Sequence, residues 1–372
     1  MTTVLRLFSI TLGTSFIFSI YLCWTVHAYI AAVQQNIGLC SLNVLRQEPS
    51  NLGLQLVNNT KLESVTVRTY GKLEYIGLMS TTNESNRNVS SIFMKAWKQN
   101  VSKLEEMRSD LKKVVHTEMI LNQRNVKKTQ KFKYMINKGS ISTNVKFYKL
   151  MRQYSPEKSV YKRCSIVGNG GILNGSKCGN EIDKADFVIR CNAPPIGRFK
   201  EDAGVKSNIT TMNPSIVVKR FGSAQTKNQQ SKFINKMKEY RNYVWFPSFS
   251  SRVSYMLAVK LNNLLNSKLK SIKFVHGNPS HFKDIRKYWT EKGMRNVPST
   301  GFYITTASLL FCDEVHLYGF WPFSTDIHNR PAAYHYFEDV NLTRVYHAFN
   351  QEFDELLNLH MDGVLQLHVD DC

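Results

Sequence analysis

The residues best placed for chemistry lie in a glycine turn, Gly168-Asn169-Gly170-Gly171, within the stretch Cys164 to Asn192, CSIVGNGGILNGSKCGNEIDKADFVIRCN. Ser165-Ile166-Val167 reads as a buried strand before the turn. A helical segment follows, and Phe187-Val188-Ile189 reads as a second strand. A strand that runs through glycines into a helix offers bare backbone N–H groups where a phosphate can sit. A dinucleotide fingerprint would need G-x-G-x-x-G and an acidic residue about 20 positions on. Gly168 and Gly170 fit, but Leu173 holds the third glycine position and the second strand ends in Arg190-Cys191-Asn192. No Gly-Lys-Ser/Thr follows, so a P-loop is excluded. On spacing alone, nucleotide binding and a plain tight turn in an α/β sheet stand equally open.

Three further groups could act with that turn. Ser299-Thr300-Gly301 is a helix-start sequence, either an ordinary N-cap or a set of N–H groups facing an anion. His347 precedes an amphipathic pattern at Phe349, Phe353, Leu356 and Leu357, and Glu352 lies inside it. A histidine there is an acid–base candidate, a cap or a core residue. Tyr334-His335-Tyr336-Phe337-Glu338 is aromatic packing or part of a site.

From Cys164 onward, short apolar strands alternate with helical stretches, which predicts a largely parallel sheet with helices on both faces. The expected strands are 165–167, 187–189, 209–212, 243–246, 273–275 and 315–318, with Leu365, Leu367 and Val369 forming a final edge strand. Leu104 to Val115 has helical character, whereas Gln123 to Lys138 is rich in Lys, Gln and Asn without a clean apolar face. Residues 27–150 are therefore expected to be a mobile stem and basic lead-in, and 151–372 the folded catalytic domain.

Leu7 to Val26 is an uncharged run of 20 residues, long enough to cross a bilayer. It is longer than a signal-peptide core, so an uncleaved anchor is expected. Arg6 precedes it and no Lys or Arg follows until Arg46, which puts residues 1–6 in the cytosol and the rest in the lumen. Sequons at Asn58, Asn83, Asn88, Asn100, Asn208 and Asn341 agree with a luminal chain. The seventh, Asn174, lies within the glycine-motif region and is set aside. With 49 basic and 28 acidic residues the formal charge is +21, a field that attracts polyanions. An anchored luminal protein does not meet nucleic acid, so anionic glycans and a nucleotide-linked donor are the better match.

The wording of these blocks goes further than their spacing. Cys164 through Pro195, continuing to Asp202-Ala203-Gly204-Val205-Lys206 and Asn213-Pro214-Ser215, resembles the large sialyl motif of the sialyltransferases, nearest the α-2,8 branch. Pro298 to Gly301 through Cys312 to Phe323 is similar to the small motif and the segment after it. Tyr334 to Glu338 is similar to the short His/Tyr motif, although the family more often ends it with Asp. His347 and Glu352 fit the very small motif, H-x4-E. The resemblance covers roughly residues 155 to 372.

That resemblance implies a Rossmann-like variant of the glycosyltransferase A fold and a luminal catalytic domain in the Golgi membrane. It implies inverting transfer of sialic acid from CMP-sialic acid to a sialylated glycolipid or glycoprotein. His347 would be the general base and His335 the donor that stabilises the departing phosphate. Asn169, Gly170, Asn192, Ser299, Thr300, Gly301, Trp321 and Tyr334 would bind the donor, with Trp321 and Tyr334 equally suited to packing. No Asp-x-Asp pair occurs, so no metal or other cofactor is expected. The implied disulfides are Cys164 with Cys312 and Cys178 with Cys372. Cys191 would then be a buried thiol, and Cys40 is open to acylation or to pairing between chains in a homodimer. Short α-2,8 products are expected from Gly170, where polymerising members more often carry Ser. The basic run Lys268, Lys270, Lys273, Lys283, Arg286, Lys287, Lys292 and Arg295 argues instead for a polysialyltransferase, and an inactive sialoglycan-binding paralogue is the third reading.

Overall fold

A computed structural model describes residues 91–136, 138–156, 160–338 and 347–372. The expected anchor, Leu7 to Val26, and the sequons at Asn58, Asn83, Asn88 and Asn341 lie outside them. Among the described residues no helix is long and apolar enough to cross a membrane.

In chain order the elements are α1 (Val101–Val114), β1 (Ile120–Leu121), a hairpin of β2 (Lys131–Lys133) and β3 (Ser140–Ser142), and α2 (Val145–Leu150). Then come β4 (Tyr161–Val167), α3 (Gly179–Lys184), β5 (Phe187–Arg190), α4 (Lys200–Ala203), β6 (Ile209–Thr211), α5 (Pro214–Phe221) and α6 (Lys227–Met237). The last are β7 (Asn242–Phe246), α7 (Arg252–Lys268), β8 (Ile272–Gly277), α8 (Pro279–Glu291), α9 (Thr300–Ser308), β9 (Cys312–Tyr318), α10 (Phe349–Met361) and β10 (Gln366–His368). Every expected strand is present, several longer by a few residues, and the expected last strand lies at the sheet edge.

One eight-stranded sheet has the order β1-β8-β7-β6-β5-β4-β9-β10, parallel except for β1. Alternate residues of its strands feed two apolar layers, as a pleated strand requires. Cys164, Ile166, Ile189, Trp245, Val275 and Leu317 pack with α1, α8, α9 and α10 on one face. Val244, Phe246 and Phe274 pack with α5, α6 and α7 on the other, and Val167, Val188 and Tyr318 with α3 and α4. The architecture is the α/β sandwich expected.

The boundary expected near residue 150 does not coincide with the packing. Leu104, Met107 and Leu111 of α1 are buried in the first layer, and Ile120 and Leu121 pair with Gly277 and His276. The fold therefore takes in the lead-in from Val101 onward. Helical spacing of three apolar residues suffices to seat α1, however polar its other faces are.

Cys164 bonds Cys312, and Cys178 bonds Cys372, as expected; Cys191 is a buried thiol. The bridges span 148 and 194 residues of sequence. Loop closure of that length removes on the order of 5 kcal/mol of unfolded-chain entropy for each. The second bridge ties the C-terminus to the start of α3.

Candidate active site

The chain moves outward from β4 through β5, β6, β7 and β8, then returns to the other side of β4 with β9 and β10. The connections from β4 and β9 run to α3 and α10 on opposite faces of the sheet, and such a switch point is where open α/β sheets hold ligands, at the C-terminal strand ends. All the expected site residues belong to loops and one helix start at that edge.

Two of the four N–H groups of the glycine turn are taken up within the fold. Gly168 N–H donates to the Tyr318 carbonyl at 2.7 Å, and Gly170 N–H to the Gly319 carbonyl at 2.8 Å. The glycines also serve close approach. A Cβ on Gly170 would sit 2.8 Å from the Gly319 oxygen, and one on Gly171 would collide with the Ala333 backbone. The turn is thus a junction of three loops. The third is strapped down by Tyr336, whose N–H donates to Asn169 O and whose hydroxyl donates to Pro195 O, both at 2.9 Å. This places the motif carrying His335 against the turn carrying Asn169.

The Asn169 amide donates through Nδ2 to Cys191 O at 3.1 Å, but its buried Oδ1 has no partner among the described residues. An acceptor cut off from water costs about 1–3 kcal/mol unless something donates to it. A ligand hydroxyl or amino group would supply that donor.

Asn192 and Ala193 both take positive φ, 60° and 46°, just past β5. Asparagine tolerates this region; for alanine it is strained, and such strain persists where surrounding contacts impose it. The contacts are here. Asn192 N–H donates to Thr211 Oγ1 at 2.9 Å, Asn192 Oδ1 accepts from Asn213 N–H at 3.2 Å, and Asn213 Oδ1 accepts from the Thr300 hydroxyl at 3.0 Å. The chain binds the ends of β5 and β6 to the start of α9. Asn213 and Thr211 were missed from the sequence, although Asn before a helix-starting Pro214 was a visible signal.

Ser299 caps α9, its Oγ accepting from Phe302 N–H at 3.1 Å, with Thr300 and Gly301 opening the helix. The Ser299 N–H is itself taken, donating to Glu352 Oε1 at 2.6 Å. Glu352 is buried, and burial pushes its carboxyl up to about 7, against the opposing pull of Ser299. His347, half-buried, faces Val297 O through Nδ1 at 2.8 Å. A carbonyl only accepts, so Nδ1 carries the hydrogen, and in the neutral ring the lone pair is on Nε2. That is the tautomer of a proton acceptor.

His335 is half-buried with Nδ1 3.2 Å from Glu338 Oε1. Burial lowers its pKa below the usual value, Glu338 raises it, and Arg220 lowers it. The half-buried Tyr334 lies against the His335 ring, centroids 4.4 Å apart. Trp321 is buried, donates its indole N–H to Thr325 O at 2.7 Å and packs edge-on against Phe323 and Phe353. In this structure it braces α10 from within the core.

Among the described residues no three His, Cys, Asp or Glu side chains gather as metal ligands. Of the described sequons, Asn100 is exposed and caps α1 through Oδ1, while Asn208 is half-buried with Oδ1 held by Val188 N–H. Asn174 is exposed, so burial gives no reason to set it aside.

A family model described as glycosyltransferase family 29 (sialyltransferase) matches residues 96–364. The alpha-N-acetylneuraminide alpha-2,8-sialyltransferase of Xenopus laevis is 38% identical over 226 residues, 60% of this chain and 62% of that protein. The match thus spans just under two thirds of that relative's length. Human alpha-2,8-sialyltransferase 8E is 32% identical over 289 residues, 76% of each chain. A solved mammalian sialyltransferase in complex with Gal-beta-1-3GalNAc-ortho-nitrophenol aligns over 79% of this chain and 90% of its own, at 20% identity and a TM-score of 0.41.

Proposed function

Because the chain belongs to glycosyltransferase family 29, the sialyltransferases, we propose that it transfers sialic acid from CMP-sialic acid to the 8-hydroxyl of a terminal sialic acid on a glycolipid or glycoprotein. The α-2,8 linkage rests on relatives that carry that name. The observation that carries the chemistry is His347, held as the Nδ1–H tautomer by Val297 beside the capped start of α9.

In this reading the acceptor hydroxyl attacks the anomeric carbon while its proton passes to His347 Nε2. The bond from that carbon to the phosphate oxygen breaks, and its electron pair leaves with CMP. His335 donates to the departing phosphate, and fixed donors of this kind favour the transition state over the ground state. Asn169 Oδ1 accepts from the nucleotide. The mechanism needs no metal, because a monophosphate leaving group carries less charge than a diphosphate. The chain is read as anchored by Leu7 to Val26 in the Golgi membrane, with this site in the lumen.

Short products are favoured over polymers by Gly170, where polymerising members more often carry Ser.

Transfer from labelled CMP-sialic acid by the full-length chain in detergent, with EDTA, tests the reading. A sialylated ganglioside, a sialylated glycoprotein and their desialylated forms serve as acceptors. Transfer only to the sialylated forms, with short products, is expected. Long ladders would favour the polymerising reading, and CMP binding without transfer would favour the inactive binder.

A further inference from the structure

Arg220 lies in the last turn of α5 and belongs to none of the expected site positions. Its Nη2 donates to Glu338 Oε1 at 2.6 Å, the oxygen that also faces Nδ1 of His335 at 3.2 Å. Its guanidinium carbon lies 5.2 Å from the centroid of the Phe337 ring, which stacks on the His335 ring at 5.0 Å. His335 and Glu338 close the turn between them with a backbone bridge. Arg220 thus grips both the carboxylate and the aromatic ring that flank His335.

Building on the reading of His335 as donor to the leaving phosphate, we propose that Arg220 is a positioning residue for the transfer. It fixes Glu338 on Nδ1 of His335, and through that contact sets the direction of the ring and the proton on Nε2.

The chemistry follows from the partners. A carboxylate only accepts, so the hydrogen on Nδ1 is committed to Glu338. A neutral ring so arranged has a bare Nε2, which cannot donate to a phosphate oxygen. His335 therefore serves the leaving group only as the imidazolium. The charged groups facing it are Glu338, which favours that form, and Arg220, which opposes it; Tyr334 contributes an uncharged ring. Glu338 supplies the partner, and Arg220 moderates the partner's charge while fixing its place. Here a glutamate stands where the family more often has Asp, so the carboxylate has one methylene more to restrain. The side chains of Arg220 and Glu338 are 25% and 37% exposed, so solvent screens part of their charge.

The test is the pH profile of kcat/KM for sialyl transfer by the full-length chain, Arg220→Met, Glu338→Gln and the double variant. Loss of the His335 proton sets the basic limb. That limb is expected to move to higher pH in Arg220→Met and to lower pH in Glu338→Gln, by roughly half a unit or more. kcat should fall about tenfold in each while donor KM stays within about threefold, and the double variant should fall short of the summed effects. A loss of packing alone would not move the limb in opposite directions. A limb unmoved in both variants, or a rise in donor KM alone, would overturn the assignment; the latter would make Arg220 a direct ligand of the phosphate. If Arg220→Met does not fold, Arg220→Lys is expected to keep the limb and lose kcat, because it keeps the charge but not the fork geometry. CMP binding measured across pH reads the same limb without an acceptor. A wild-type chain that binds CMP but transfers nothing would sink the proposed reaction, while this second readout still decides on Arg220.

Discussion

The carboxylate of Glu352 and the backbone N–H of Ser299 meet at 2.6 Å, joining the first turn of α10 to the cap of α9 across 53 residues of sequence. His347 lies at the head of the same α10 and holds Val297 next to that cap. His347 and the cap are therefore set relative to one another by a buried hydrogen bond as well as by the backbone. A group so buried and so acidic in its ordinary state must leave a mark on stability.

The Glu352 carboxyl is raised from 4.5 to about 7 by burial. A raised folded-state pKa means that the folded chain holds a proton which the unfolded chain has already released. The stabilisation is full below about 4.5 and is lost as pH rises through 7, a difference of roughly 3 kcal/mol. Glu352→Gln removes the titration and keeps an acceptor for Ser299. Thermal melts at pH 5 and pH 8 should show a marked fall in Tm for the wild type and a much smaller one for the variant. Equal falls would mean that the carboxyl does not titrate in this range.

His347→Ala removes the proposed general base, which stands just before α10. General-base contributions run at about 10²–10⁴-fold, and kcat should fall by that factor. The half-buried ring is not part of the core, so CMP binding and Tm should hardly change. Single-turnover rates alongside CMP titrations separate the two; weakened CMP binding to match the lost rate would argue for a structural histidine.

For Asn169 the expectation is the reverse split. Its Nδ2 secures the loop after β5, and its Oδ1, without a partner among the described residues, is the proposed acceptor for the nucleotide. Asn169→Ala should raise the donor KM about tenfold or more through the lost hydrogen bond, with a smaller loss in kcat. Asn169→Asp should do worse, since it sets a carboxylate oxygen against the Cys191 carbonyl where the amide donated. A donor KM that stays at the wild-type value in both would remove Asn169 from the nucleotide site.

Much of this was legible in the sequence, and the failures have physical causes. The strands showed because a sheet covered on both faces needs unbroken apolar runs, and α10 showed because Phe349, Phe353 and Leu356 repeat at helical spacing. Residues 101–150 were misplaced because Leu104, Met107 and Leu111 are thinly set among charges, and because a two-residue strand such as β1 has no pattern of its own. The glycine turn stood between two readings for another reason. Glycines that admit a phosphate and glycines that admit a neighbouring backbone look alike, and the neighbour, Gly319, lies far along the chain. Arg220 was invisible on the same ground, since only folding sets it beside Glu338.

That close approach of Gly319 yields the sharpest steric prediction. Polymerising relatives were expected to carry Ser at the position of Gly170, but in this chain a Cβ there would stand 2.8 Å from the Gly319 oxygen and 3.4 Å from the Trp321 nitrogen. Both are backbone atoms, so no side chain can swing away to make room. The conformation itself is no obstacle, because Gly170 has φ −55°, open to any residue. Gly170→Ser must therefore push the β4 and β9 turns apart, weakening the Gly170–Gly319 hydrogen bond, at a cost of about 1–3 kcal/mol. Gly170→Ala should cost as much, since the clash belongs to the Cβ and not to the hydroxyl. Gly171→Ala should cost more, because it displaces the Ala333 backbone and with it the loop that carries His335. Melting curves should rank the three variants in that way, with transfer activity lost most completely in Gly171→Ala. If Gly170→Ser instead melts like the wild type and lengthens the products, the turn is a determinant of chain length rather than a steric lock.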